Sequence, residues 1–301
     1  MPEISPGTDP LPQDPVFVVG YPRSGTTLLQ GLLATQPGFF SLPETHFFGV
    51  VQTSVRVSWR GSVKPACLDA LAAALLEKMA WRMEPDERAA LEALAQGWHF
   101  TTKSVFEFIV ARYLMAQPAF RAHSGPFRWI EKTPVHANHL DKIAGFYPSL
   151  QAVHIVRHPV PAIFSRKRKF GFDADVPLED LARRWVRLVG NADRFSRAHP
   201  GTVQSIRYED FIADVDAGLR ALGAFLRFAP DPSQISRIPE RIAHLSLDSE
   251  PWKAADRRRP LANTNEDYRG IVDAASALEI ERIAGEWMER LGYRPWAAGK
   301  E

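Results

Sequence analysis

The residues best suited to chemistry sit in three short segments. The first is Gly20-Tyr21-Pro22-Arg23-Ser24-Gly25-Thr26-Thr27, with the glycine spacing G-x-x-x-x-G. It lies between the apolar run Val16–Val19 and a stretch in which Leu28, Leu29, Leu32 and Leu33 form a helical apolar face, which is the strand–loop–helix context such a loop requires. Glycines let successive N–H groups converge, and a helix N-terminus adds roughly half a positive charge. The loop therefore reads as a binding site for phosphate or sulfate. A nucleotide triphosphatase would place Lys after the second glycine and Mg²⁺ on the neighbouring hydroxyl. Here Thr26 follows that glycine, and Arg23 supplies the charge from a planar fork suited to bidentate anion contact.

In the second segment, the apolar strand Ala152–Val156 runs into Arg157-His158-Pro159, and Ser165 follows within the next helix. An arginine at the C-terminal edge of a strand and a serine on the following helix can clamp one anion, at the edge where open α/β sheets bind ligands. The third segment is a pair of short polar stretches, Ser41-Leu42-Pro43-Glu44-Thr45-His46 and Glu131-Lys132-Thr133-Pro134. By residue type alone, Glu44 is a loop carboxylate of the kind usually left in solvent, and His46 is a group that titrates near neutral pH. His136 and His139 stand at a helical spacing, but helices often carry such pairs idly, and no metal site is read from them.

The run Tyr21–Leu29 resembles the 5′-phosphosulfate loop of the sulfotransferases that use 3′-phosphoadenosine 5′-phosphosulfate (PAPS), especially the branch with tyrosylprotein sulfotransferases and many bacterial enzymes. The resemblance assigns the 5′-phosphosulfate to Arg23, Ser24, Gly25, Thr26 and Thr27. Arg157-x-Pro159 with Ser165 is similar to the family's 3′-phosphate motif. Two such sites on one sheet edge match a 3′,5′-bisphosphorylated nucleotide and not ATP, with PAPS as co-substrate, adenosine 3′,5′-bisphosphate (PAP) as product and no metal. Arg207-Tyr208-Glu209-Asp210-Phe211 resembles the family's R-Y-E-D-L segment, whose tyrosine lies near the adenine; an aromatic ring there can stack on a base. Lys253–Arg259 and Asn263-Thr264 fall where the family folds a basic loop over the nucleotide, at a different spacing.

The same resemblance makes Glu44 the general base, through the Glu-Thr pair of the tyrosylprotein branch, with His46 as runner-up. Lys132 resembles the lysine of the Lys-Thr pair that stabilises the leaving group in cytosolic sulfotransferases. There a histidine base comes directly after the pair; Pro134 takes that place here, which moves the base to Glu44 and leaves His136 a weaker candidate. The expected activity is in-line sulfuryl transfer to a hydroxyl or amine of a small-molecule, carbohydrate or lipid acceptor. A P-loop kinase or nucleotide hydrolase is the alternative, and a non-catalytic nucleotide-binding module is a third reading.

These segments need a scaffold, and the pattern predicts α/β: a P-loop-like central parallel sheet flanked by helices, with a helical insertion. Strands are expected at Val16–Val19, Phe127–Ile130, Gln151–Val156 and Thr202–Ile206. A helix carries Leu178, Leu181, Trp185, Leu188, Ala192 and Phe195 on one face, and a tail helix ends at Gly292. Arg166–Lys169 reads as a solvated helix end. Residues 1–14 are taken as a flexible leader and 15–301 as one domain. Within it, about 50–125 form an acceptor-side helical insertion marked by Leu68, Leu71, Leu75 and Met79, a helix start at Glu84-Pro85-Asp86, and Phe106, Ile109, Val110 and Tyr113. Trp59, Trp81, Trp98 and Phe100 in that insertion suit apolar or sugar contact. The chain of 301 residues is 45% apolar and 24% charged with net charge +2, which gives no support for a nucleic-acid binder. The single cysteine, Cys67, rules out an internal disulfide. No signal-peptide core and no membrane-length apolar run appear, so a cytoplasmic protein is expected.

Overall fold

The computed structural model describes residues 11–50, 101–170, 173–245 and 262–296, with Asp69, Ala70, Ala73 and Ala89 between the first two stretches. Five strands form one parallel sheet: β1 (Val16–Gly20), β2 (Phe39–Ser41), β3 (Arg128–Lys132), β4 (Gln151–Val156) and β5 (Val203–Arg207). Their spatial order is β2-β3-β1-β4-β5. Among the described helices, those of eight residues or more are α1 (Thr26–Thr35), α2 (Thr102–Ala116), α3 (Pro159–Phe170), α4 (Leu178–Ala198), α5 (Val215–Leu226), α6 (Ile238–Leu245) and α7 (Ala274–Arg290). The expected α/β class is the observed one. Leu68, Leu71, Leu75, Met79, Glu84–Asp86 and the tryptophans 59, 81 and 98 lie outside the described residues, as do Phe100 and Lys253–Arg259.

The buried strands separate two cores by the alternation of their side chains. Phe17 and Val19 of β1 face Phe48, Phe106, Trp129 and Tyr147, with Trp185 of α4 and Ile280 of α7. Val16 and Val18 face the opposite core of Leu29, Leu32 and Leu33 from α1 and Leu219, Leu222 and Leu226 from α5. α4 buries Leu181, Trp185, Leu188, Ala192 and Phe195, as its spacing predicts. α7 ends in a Schellman motif: Gly292 has φ 69, its N–H donates to Glu289 O, and Tyr293 N–H donates to Met288 O at 2.8 Å.

Two local features differ from the sequence reading. β2 was not expected, because three residues between Gly38 and Leu42-Pro43 are too few to show a period. It matters here because β2 pairs with β3 (Ser41 opposite Ile130) and so delivers Glu44 to the C-terminal edge of the sheet. Arg166 and Lys167 are half-buried and bonded to the protein rather than left wholly to solvent. Lys167 Nζ donates to the carbonyl oxygens of Asp173, Ala174 and Val176, and Arg166 pairs with Asp173, so the two residues clasp the turn that follows α3. Ahead of β1, Pro12 O accepts from Trp129 Nε1 at 3.0 Å and Asp14 pairs with Arg128 at 3.0 Å.

Candidate functional site

The loop after β1 is shaped by close approach. A Cβ on Gly20 would lie 2.4 Å from the carbonyl oxygen of Ile155, and one on Gly25 2.7 Å from the Tyr208 ring. Gly25 has φ 96 and Arg23 φ 73, so two left-handed residues flank Ser24 and turn the backbone into the concave shape that collects N–H groups. Gly25 caps α1 without a side-chain hydrogen bond, and Ser24 is fully buried with an Oγ that has no partner among the described residues. An uncapped helix start, a left-handed turn and an orphaned hydroxyl form a fitting cradle for an oxyanion.

The predicted second anion site adjoins the first. Arg23 Nε donates to Ser165 Oγ at 3.3 Å, joining the loop to α3. Arg157, only 4% exposed, donates from Nη1 to Arg23 O at 3.0 Å, from Nε to Asn265 Oδ1 at 2.7 Å and from Nη2 to Thr264 Oγ1 at 3.0 Å. Its guanidinium lies 4.7 Å from the Tyr208 ring centroid. Three of the five N–H groups of an arginine are thus taken by described residues. Burial pulls the Arg157 pKa down, against the raising effect of Tyr208, Tyr268 and Glu209; an arginine with so high a starting value stays charged.

Asn265 in turn donates to Glu209, which also accepts from His158 N–H and from the Tyr293 hydroxyl. Tyr208 hydroxyl donates to Ala262 O and lies 3.2 Å from Thr264 Oγ1. A cavity of about 590 Å³ opens beyond Glu209, with Arg207, Arg269, Tyr293 and Trp296 among its walls. None of Arg23–Thr27, Glu44 or Lys132 lines it.

The third group is assembled at the end of β3. Lys132 is fully buried; its Nζ hydrogen-bonds Glu44 Oε1 and lies 3.3 Å from Thr27 Oγ1. Glu44 Oε2 lies 3.3 Å from His46 Nε2, and His46 holds a left-handed φ of 48. Thr27, Lys132, Glu44 and His46 therefore form one continuous contact chain starting on the first turn of α1. An ammonium against a carboxylate favours both charged forms. A cation beside an anion cradle, next to a carboxylate with a second oxygen facing a histidine, can neutralise developing negative charge and accept a proton.

His136 does not join this chain. Its Nδ1 sits 2.8 Å from Glu131 Oε2, both side chains are fully buried, and its ring meets Phe48 edge-on at 5.0 Å. His139, held down to about pKa 4 by burial first and then by His136 and Lys142, forms no metal-competent group with its neighbours; none of three or more such residues occurs among the described residues. No described helix is long and apolar enough to cross a membrane. Sequence reasoning missed Asn265, Glu209 and Tyr293 around Arg157, and Thr45 and Glu131 behind Glu44. The one available signal was Glu209 inside the R-Y-E-D-like run.

The family model described as the sulfotransferase family matches residues 15–232. No curated protein matches the sequence. Among solved structures, a sulfotransferase domain from the curacin biosynthetic pathway superposes with TM-score 0.61 at 21% identity, covering 95% of this chain and 99% of that one. A sulfotransferase domain from the Synechococcus PCC 7002 olefin synthase gives 0.62 at 20% identity, covering 95% and 97%. A mouse sulfotransferase complexed with PAP gives 0.50 at 14% identity, covering 93% and 85%.

Proposed function

The chain belongs to the sulfotransferase family, and from that premise we propose that it moves a sulfuryl group from PAPS to a hydroxyl or amine of a small-molecule, carbohydrate or lipid acceptor. The observation that carries this reading is the contact chain Thr27–Lys132–Glu44, which joins the anion cradle to a proton acceptor. PAPS would supply a sulfuryl group already activated on a phosphate leaving group. Arg23, the orphaned Ser24 hydroxyl, and the N–H groups of Gly25, Thr26 and Thr27 hold its 5′ side. Arg157, Ser165 and Tyr208 hold the 3′-phosphate and the adenosine. Lys132 neutralises the charge left on the leaving oxygen, and Glu44 takes the proton of the acceptor as that acceptor gains its new bond to sulfur. The PAP bound to the mouse neighbour supports the choice of nucleotide. A kinase or hydrolase reading lacks the lysine such enzymes place after the second glycine.

PAP without added metal is expected to stabilise the fold by RT ln(1 + [L]/Kd), about 2.7 kcal/mol at one hundred times Kd, and ATP with Mg²⁺ by less. Differential scanning fluorimetry checks this; an equal shift with Mg-ATP, or none with PAP, overturns the nucleotide assignment. A second expectation concerns the buried arginine. Arg157→Ala removes a charge-assisted contact worth roughly 1.5–3 kcal/mol of PAP binding. Adenosine 5′-phosphosulfate, which has no 3′-phosphate, should lose far less in the same titration. Equal losses would mean that Arg157 only ties Thr264 and Asn265 to the sheet.

One observation favours a second assignment of the base. His46 Nε2 faces Glu44 Oε2 at 3.3 Å, and the histidine is the more exposed of the two, 38% against 18%. In that arrangement His46 takes the proton and Glu44 orients and charges the imidazole, as a carboxylate does in other histidine-based sites.

A further inference from the structure

Three consecutive loop residues meet three consecutive residues at the end of β3. Glu44 pairs with Lys132, Thr45 bonds to Glu131 through both its N–H and its hydroxyl, and His46 N–H donates to Thr133 Oγ1. Lys132 and Glu131 point to opposite faces of the strand, as neighbours in a strand must. The loop therefore straddles the strand end, with the acid–base groups on one side and a buried carboxylate holding it from the other.

Glu131 is fully buried, yet it accepts from Thr45 Oγ1 at 2.8 Å and Thr45 N–H at 3.3 Å. It also accepts from Thr133 Oγ1 at 2.6 Å and lies 2.8 Å from His136 Nδ1. Burial alone would raise its pKa; the charge and hydrogen bond of His136, with hydrogen bonds from Thr133 and Thr45, instead hold it below the ordinary carboxylate range. A charge taken so far from water costs free energy unless it is fully bonded, and Glu131 stands in register opposite Phe17 of β1, where an apolar residue would carry no such cost. What the carboxylate secures in return is the loop: without it, the N–H and hydroxyl of Thr45 lose their acceptor, and the left-handed backbone at His46 loses the neighbour that holds it.

We infer that Glu131 is the positioning residue of the acid–base group, fixing Thr45 so that Glu44 and His46 stay registered on Lys132. This rests on the reading that Glu44 or its partner His46 takes the acceptor's proton. A misplacement of about 1 Å in such a group typically costs about 10²-fold in rate. Glu131→Ala is therefore expected to lower kcat by roughly 10–10²-fold while the Kd for PAP, measured by calorimetry, stays at the parent value. Glu131→Gln should recover part of the loss, since its amide oxygen still accepts from Thr45 and Thr133. Thr45→Val, which removes only the hydroxyl, should show the same selective fall in kcat if Glu131→Ala fails to fold.

The deciding arm is a double-mutant cycle. Because Glu131 acts through Glu44 and His46, Glu131→Ala should add no further loss in a background that carries both Glu44→Gln and His46→Ala. A parent-like kcat in both Glu131→Ala and Thr45→Val overturns the inference. So does a Glu131→Ala loss that repeats in full in that double background. If Glu44→Gln and His46→Ala each keep their turnover, the base reading fails first and the positioning role falls with it; those single variants identify that case.

Discussion

Lys132→Met is expected to lower kcat for sulfuryl transfer by roughly 10²–10³-fold, the loss that follows removal of one preorganised donor from a developing oxyanion. Methionine keeps the length and apolar character of the stem and deletes the charge together with the donors to Glu44 and Thr27. The lysine side chain is fully buried, with its ammonium between Thr27 and Glu44, so its charge acts where water screens it little. PAP affinity should change much less than kcat, because the charge that Lys132 stabilises develops during transfer and is not present in the same form in the ground state. Steady-state kinetics beside PAP titration checks the split. A variant that keeps most of its turnover but binds PAP weakly would make Lys132 a nucleotide ligand and not a stabiliser of the leaving oxygen.

The parts of this site that could be read in the sequence are those in which a single backbone requirement fixes the residue type. Gly20 and Gly25 sit where any Cβ would strike the Ile155 carbonyl or the Tyr208 ring, so the steric demand itself appears as a G-x-x-x-x-G spacing. Helix α4 was legible because its buried face repeats over 21 residues. β2 was not, since three residues carry no period, and without it Glu44 had no reason to arrive beside Lys132. Asn265 was illegible for a different reason, and Thr264 was placed only near the nucleotide and not on Arg157. They reach Arg157 from more than a hundred residues away, and no local pattern announces a contact of that kind. Glu131 stands next to a residue that was singled out, yet its role depends on facing away from it.

The acid–base assignment carries the largest expected effect. If Glu44 accepts the acceptor's proton, Glu44→Gln keeps the shape of the side chain and its hydrogen bond from Lys132 but cannot take up the proton. Loss of a general base typically costs about 10²–10⁴ in rate, and the loss should appear in kcat with PAP affinity near the parent value, since a base is not a nucleotide ligand. His46→Ala separates the two candidates. With Glu44 as base, His46→Ala removes only a neighbour at 3.3 Å and costs far less than Glu44→Gln. With His46 as base and Glu44 orienting it, His46→Ala abolishes turnover, and Glu44→Gln still impairs it because an amide cannot charge the imidazole. The measurement is a sulfuryl-transfer assay with labelled PAPS and an acceptor drawn from a host extract, run on both variants with PAP titration as the control for folding. Retention of most turnover by Glu44→Gln, together with its loss in His46→Ala, would transfer the base to the histidine. Retention in both would remove this loop from the chemistry while leaving the nucleotide cradle untouched.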